Sequence, residues 1–145
     1  MQTRFWLSIS IPSLALLSYA ILLIIVLRRD LRSRLYRFFG LYLLAMAAWS
    51  FGSLMMRLDS DRILLWNKVL SGGAIVMPLA FFGFVQTFLG EQRDRWLWVG
   101  IVVLFGLEIA NASGLMVTGA RVLEGGLLSF DMGPATYVLL LLYIF

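Results

Sequence analysis

Cysteine and histidine are both absent from the 145 residues. Without cysteine there is no disulfide framework, no thiolate metal site and no cysteine nucleophile. Without histidine there is no imidazole acid–base chemistry, no histidine metal ligand and no phosphoaccepting histidine in this segment. Charge is scarce as well. Only 14% of residues are Asp, Glu, Lys or Arg, where a soluble domain carries roughly a quarter. No His–Glu metal motif, no Ser–His pair and no glycine loop leading into Lys and Ser/Thr occurs. No catalytic residue, metal or cofactor is therefore assigned to this segment.

What fills the chain instead is apolar. Hydrophobic residues make up 61%, and the mean hydropathy is +0.92. A domain this small cannot hide so much apolar surface in a core of its own. The expected fold is all-α, a polytopic transmembrane helix bundle forming one domain over residues 1–145. The formal charge of +4 does not signal nucleic acid. Its arginines cluster between apolar runs, as cytoplasmic loop charges do.

The runs set the expected spans at about 5–27, 38–56, 63–89 and 96–116, with a fifth beginning at 135–145. A helix over 5–27 rises roughly 34 Å, enough for the hydrocarbon core. A cleaved signal peptide needs a basic flank before its apolar stretch and small residues after it. Here Arg4 stands alone in front, and Arg28, Arg29, Arg32, Arg34 and Arg37 follow, which is a stop-transfer pattern. Eleven residues of the fifth run rise only about 16 Å, half a bilayer. Four full spans plus a truncated fifth, in a piece of a longer protein, is the expectation. The third run exceeds what a perpendicular helix needs, and Pro78 within it removes a backbone donor, so a tilt or kink is expected there.

Basic residues set the orientation. Loops one and three carry Arg28, Arg29, Arg32, Arg34, Arg37, Arg93 and Arg95. The opposite side carries Arg4, Arg57, Arg62 and Arg121, offset by Asp59, Asp61, Glu124 and Asp131. The N-terminus is expected outside. Trp6, Trp66, Trp96 and Trp98 fall near span ends, where amphipathic rings favour the interface, while Trp49 lies deeper and is expected between helices. Residues 117–134 read as a Gly-containing outer loop.

Small residues recur at a spacing of four in the fourth span (Gly106, Ala110, Gly114) and in the second (Ala48, Gly52). Such faces let helices approach closely. They serve packing within one bundle or contact with a second copy. Gly72-Gly73 reads as a close helix contact, whereas Gly125-Gly126 has no phosphate-binding context.

Polar residues inside spans are the more informative class. Glu108 stands about 18 Å along the fourth helix from its inner start, with Asn111 one turn further out. Asn67 and Lys68 lie near the outer start of the antiparallel third helix, at similar depth. A charge inside a membrane is costly and faces a partner or a water-filled cavity. The spacing predicts a Lys68–Glu108 pair, with Asn67 and Asn111 beside it, lining an outward-facing cavity. A ligand-sensing pocket, a structural ion pair and a lysine snorkelling to the headgroups are all compatible with this pattern.

A family pattern runs through the same segments. Ala47-Ala48-Trp49 is followed by Trp66, Pro78, Phe81-Phe82 and Phe88-Leu89-Gly90. Ala110-Asn111-Ala112 then precedes Phe130-Asp131-Met132-Gly133-Pro134 and Tyr137. This order resembles the N-terminal seven-helix membrane region of bacterial histidine kinases, over nearly the whole chain. After Asn111, where that family often has an aromatic residue or histidine, this chain has Ala112-Ser113-Gly114. The resemblance implies a sensor or input module in the bacterial inner membrane. It implies the lipid bilayer as partner, a possible homodimer, and a C-terminal cytoplasmic output domain, commonly a kinase and sometimes a diguanylate cyclase. A transporter or channel fragment is the alternative from another class, although no internal repeat supports it. A membrane scaffold subunit is the third.

Overall fold

The computed structural model describes residues 2–29, 32–90, 94–122 and 128–144. Arg93, Glu124, Gly125, Gly126 and Phe145 of the foregoing readings lie outside the described residues. Helices α1 (Gln2–Leu27), α2 (Arg34–Leu58), α3 (Ile63–Phe88) and α4 (Asp94–Ala112) follow in order. A single 3-10 turn, Ser60–Arg62, joins α2 to α3. Strands β1 (Val117–Val122) and β2 (Leu128–Met132) and helix α5 (Pro134–Ile144) complete the chain. Four helices are long and apolar enough to cross a membrane, in agreement with the fold expected from the runs. Large apolar side chains such as Leu14, Val102, Phe105 and Ile109 point away from the protein. Water would penalise such surfaces, whereas lipid tails do not.

A close backbone contact joins α2 to α3, and glycine makes it. A Cβ on Gly52 would stand 2.7 Å from the Leu70 backbone nitrogen and 2.8 Å from the Trp66 carbonyl oxygen. A Cβ on Gly73 would stand 2.6 Å from the Ala45 carbonyl oxygen and 2.8 Å from the Trp49 nitrogen. The backbones therefore touch where side chains are missing. In lipid, helix association rests on such van der Waals contact, because burial against apolar tails gains little. Toward the inner end the same seam turns aromatic. Phe38 lies over Gly83, Phe39 meets Phe84 at 5.4 Å between ring centroids, and Tyr42 meets Phe81 at 5.9 Å.

Trp49 differs from expectation. Its backbone packs on Gly73, and this turns its ring outward, where it is 42% exposed. Helix α2 also begins earlier than its apolar run. Arg34 and Arg37 belong to its first turns, and the Arg34 guanidinium lies 5.7 Å from the Phe38 ring centroid. Hydropathy alone does not reveal this extension, because arginine carries an apolar stem beneath its charge.

Helix α4 ends at Ala112 rather than near 116. Gly114, with φ of 81°, donates its N–H to Asn111 O at 3.1 Å, and Leu115 donates to Ala110 O at 2.9 Å. This pair of bonds is a Schellman motif, which a left-handed glycine permits. Gly114 is thus a helix stop and not part of a packing face. The segment read as a loop is an antiparallel ribbon, with Ala120 opposite Phe130 and Arg121 opposite Ser129. A two-stranded ribbon needs support, and the bundle supplies it. Met116, 2% exposed, sits with Ile75 of α3 and Leu107 of α4, against Ala135 and Leu139 of α5. Its carbonyl accepts from Gly133 N at 2.7 Å and from the Thr136 hydroxyl at 2.5 Å. Pro134 then opens α5 at a first-turn position, where its missing N–H costs nothing.

Candidate functional site

Polar residues of α3 and α4 meet where the two helices face each other. Lys68 Nζ donates to the Ala112 carbonyl at 2.7 Å. Asn111 Nδ2 donates to the Lys68 carbonyl at 2.9 Å. Each helix thus binds the other's backbone. Ala112 is the last residue of α4, so its carbonyl has no partner within the helix. A cation there also meets the negative end of the helix dipole. Ser71 Oγ donates to Asn67 Oδ1 at 3.4 Å, one turn along α3, with both residues buried.

Glu108 is set differently. Its carboxylate lies beside Gly72. A Cβ on that glycine would be 3.4 and 3.5 Å from the two carboxylate oxygens and 3.8 Å from the Asn111 amide nitrogen. Glu108 is half-buried. Among the described residues it makes no hydrogen bond or ion pair. The Lys68–Glu108 pair read from the sequence does not form, because the ammonium is engaged by the end of α4 one turn further out. Lys68, Glu108 and Asn111 nevertheless share one seam, while Asn67 bonds along its own helix to Ser71. Gly72 joins them, and only the adjacency of Gly72-Gly73 hinted at it. One glycine of that pair faces α2 and the other α4.

An open apolar groove of about 1060 Å³ lies between α3, α4 and α5. Pro78, Gln86, Trp96, Leu139 and Tyr143 contribute to its walls, and none of the four polar residues does. Lys68 and Glu108 are half-buried, and Asn67 and Asn111 are buried. Pro78 lies inside α3, which continues as helix on both sides of it. Of the small residues, Ala48 is half-buried on α2 and Ala110 half-buried on α4. Gly106 has nothing within 4 Å of where its Cβ would be, so it packs on nothing among the described residues.

Among the described residues, four helices long and apolar enough to span, an antiparallel ribbon and a polar seam between α3 and α4 mark a multi-pass α-helical membrane protein. The chain belongs to the N-terminal 7TM region of histidine kinases, whose family model matches residues 10–145. This is the family that the Trp, Pro, Asn and Gly-Pro order resembles. No curated protein matches the chain, and no solved structure does.

Proposed function

We propose that this chain is the signal-receiving membrane module of a bacterial histidine kinase in the inner membrane. It carries no catalysis of its own and acts on a cytoplasmic output domain. The seam of Asn67, Lys68, Glu108 and Asn111 receives an outer-side signal. The carrying observation is Glu108: an ionisable group inside a span, half-buried, and without a partner among the described residues. Intramembrane carboxylates are expensive and are functional by default.

Around Glu108 stand the two bonds that fasten α4 to α3. A ligand that engages the carboxylate and Asn111 in one helix arrangement and not in another shifts the balance between them. A ligand indifferent to the two arrangements shifts nothing. The outward face around Gly106 offers a contact for a second copy.

The test uses the full-length protein in proteoliposomes with labelled ATP. Glu108→Gln is expected to change the autophosphorylation rate about fivefold or more, the lower end of a typical coupling between sites. An unchanged rate, at equal protein per vesicle, excludes the seam as the receiving site.

A further inference from the structure

Proline at 78 leaves one carbonyl of α3 without its normal donor. In an α-helix the N–H of residue i bonds to the carbonyl of residue i−4. Pro78 has no N–H, so the orphaned acceptor is Ala74 O. Ala74 stands eleven residues into α3, about 16 Å of rise and close to the bilayer centre. No water is available there, and each unsatisfied backbone group costs several kcal/mol.

The structure supplies a substitute donor from another helix. The Tyr143 hydroxyl on α5 donates to Ala74 O at 2.6 Å. Tyr143 lies nine residues into α5, about 14 Å of rise, so the two groups meet at matching depth. Pro78 and Tyr143 also line the same apolar groove. A tyrosine in lipid needs a partner for its hydroxyl as much as the carbonyl needs a donor.

We infer that Tyr143 is a positioning residue that replaces the hydrogen bond removed by Pro78, and so makes α5 a strut that holds the two halves of α3 in one arrangement. Pro78 is the weak point of α3, because proline interrupts the backbone ladder and kinks are found there. Helix α5 follows directly from the outer ribbon, through the Met116 carbonyl bonds to Gly133 and Thr136. Displacement of the ribbon is thereby carried to Ala74. The outer surface gains a second route into α3, separate from the Glu108 seam and independent of what that seam binds.

These 145 residues hold no cysteine, so the test needs only that any cysteine elsewhere in the full-length protein be replaced by serine. In the full-length protein in nanodiscs, nitroxides are attached at Leu64→Cys and Phe88→Cys, exposed positions on either side of Pro78. Electron–electron distances are then measured in four backgrounds: native, Tyr143→Phe, Pro78→Ala and the double variant. Native protein is expected to give one narrow distance. Tyr143→Phe removes only the hydroxyl and is expected to broaden or shift it. In Pro78→Ala the alanine N–H occupies Ala74 O, and adding Tyr143→Phe is expected to change nothing further. An unmoved distance in Tyr143→Phe overturns the inference. So does an equal effect of Tyr143→Phe in both backgrounds, which would make Tyr143 a packing residue only. If Tyr143→Phe fails to accumulate in the membrane, the double variant decides. Recovered accumulation supports the strut, and continued failure overturns it.

Discussion

Lys68 binds the end of the neighbouring helix and not the acid beside it. Its ammonium meets the Ala112 carbonyl at 2.7 Å, while Glu108, less than two turns before Ala112, keeps its carboxylate against Gly72. Two opposite charges on adjacent helices therefore divide their work. One fastens α3 to α4, and the other keeps its carboxylate beside Gly72.

That division has a thermodynamic signature. Lys68→Met removes a charge-assisted bond and leaves a helix-end carbonyl unsatisfied. It is expected to lower stability by about 1–2 kcal/mol, read by unfolding in mixed micelles. Combined with Glu108→Gln, the losses should add to within about 0.5 kcal/mol, as for independent sites. A coupling well above that would mean that the two charges pair in the membrane.

The glycines of the bundle are not equivalent. Gly73→Ala drives a methyl group into the Ala45 carbonyl and the Trp49 backbone, neither of which can rotate away. A loss of about 1–3 kcal/mol is expected, as for overpacked cores. Gly52→Ala should behave alike. Gly106→Ala meets nothing within 4 Å and should stay within about 0.5 kcal/mol of the native protein, as most outward substitutions do. The same unfolding assay checks all three.

Met116 ties the outer ribbon to three helices. Met116→Ala opens a cavity among Ile75, Leu107 and Leu139 and should cost about 2–5 kcal/mol in a rigid site. The ribbon should loosen before the helices do. Amide exchange is expected to rise in residues 117–122 and 128–132 while the α2–α3 seam keeps its protection.

The spans were legible because hydropathy and length alone decide them, and the arginine clusters decide their flanks. What escaped was set by tertiary contact. Strands 117–122 and 128–132 have weak strand patterning of their own and stand because Met116 and Gly133 anchor them. Helix α4 stops at Ala112 because Gly114 adopts a left-handed conformation, and spacing by four had placed that glycine on a helix face. The Asn67, Lys68, Glu108 and Asn111 group was visible from depth along antiparallel helices. Its internal pairing was not, because a rotation of one helix by a fraction of a turn exchanges a carboxylate for a backbone carbonyl. The donor for Ala74 was hidden for the same reason. Pro78 announces an orphaned carbonyl, but nothing in the sequence points to Tyr143.

The most direct measurement joins access and response at the polar seam. A single cysteine at Glu108→Cys, with any cysteine outside these 145 residues replaced by serine, is treated in intact cells with a charged, membrane-impermeant thiol reagent. Labelling and phosphorylation of the full-length protein are read from the same gel. The account predicts modification from outside, with a phosphorylation change of about fivefold or more, within the usual range of coupling between sites. Failure to label from outside, or labelling that leaves phosphorylation unchanged, would contradict it.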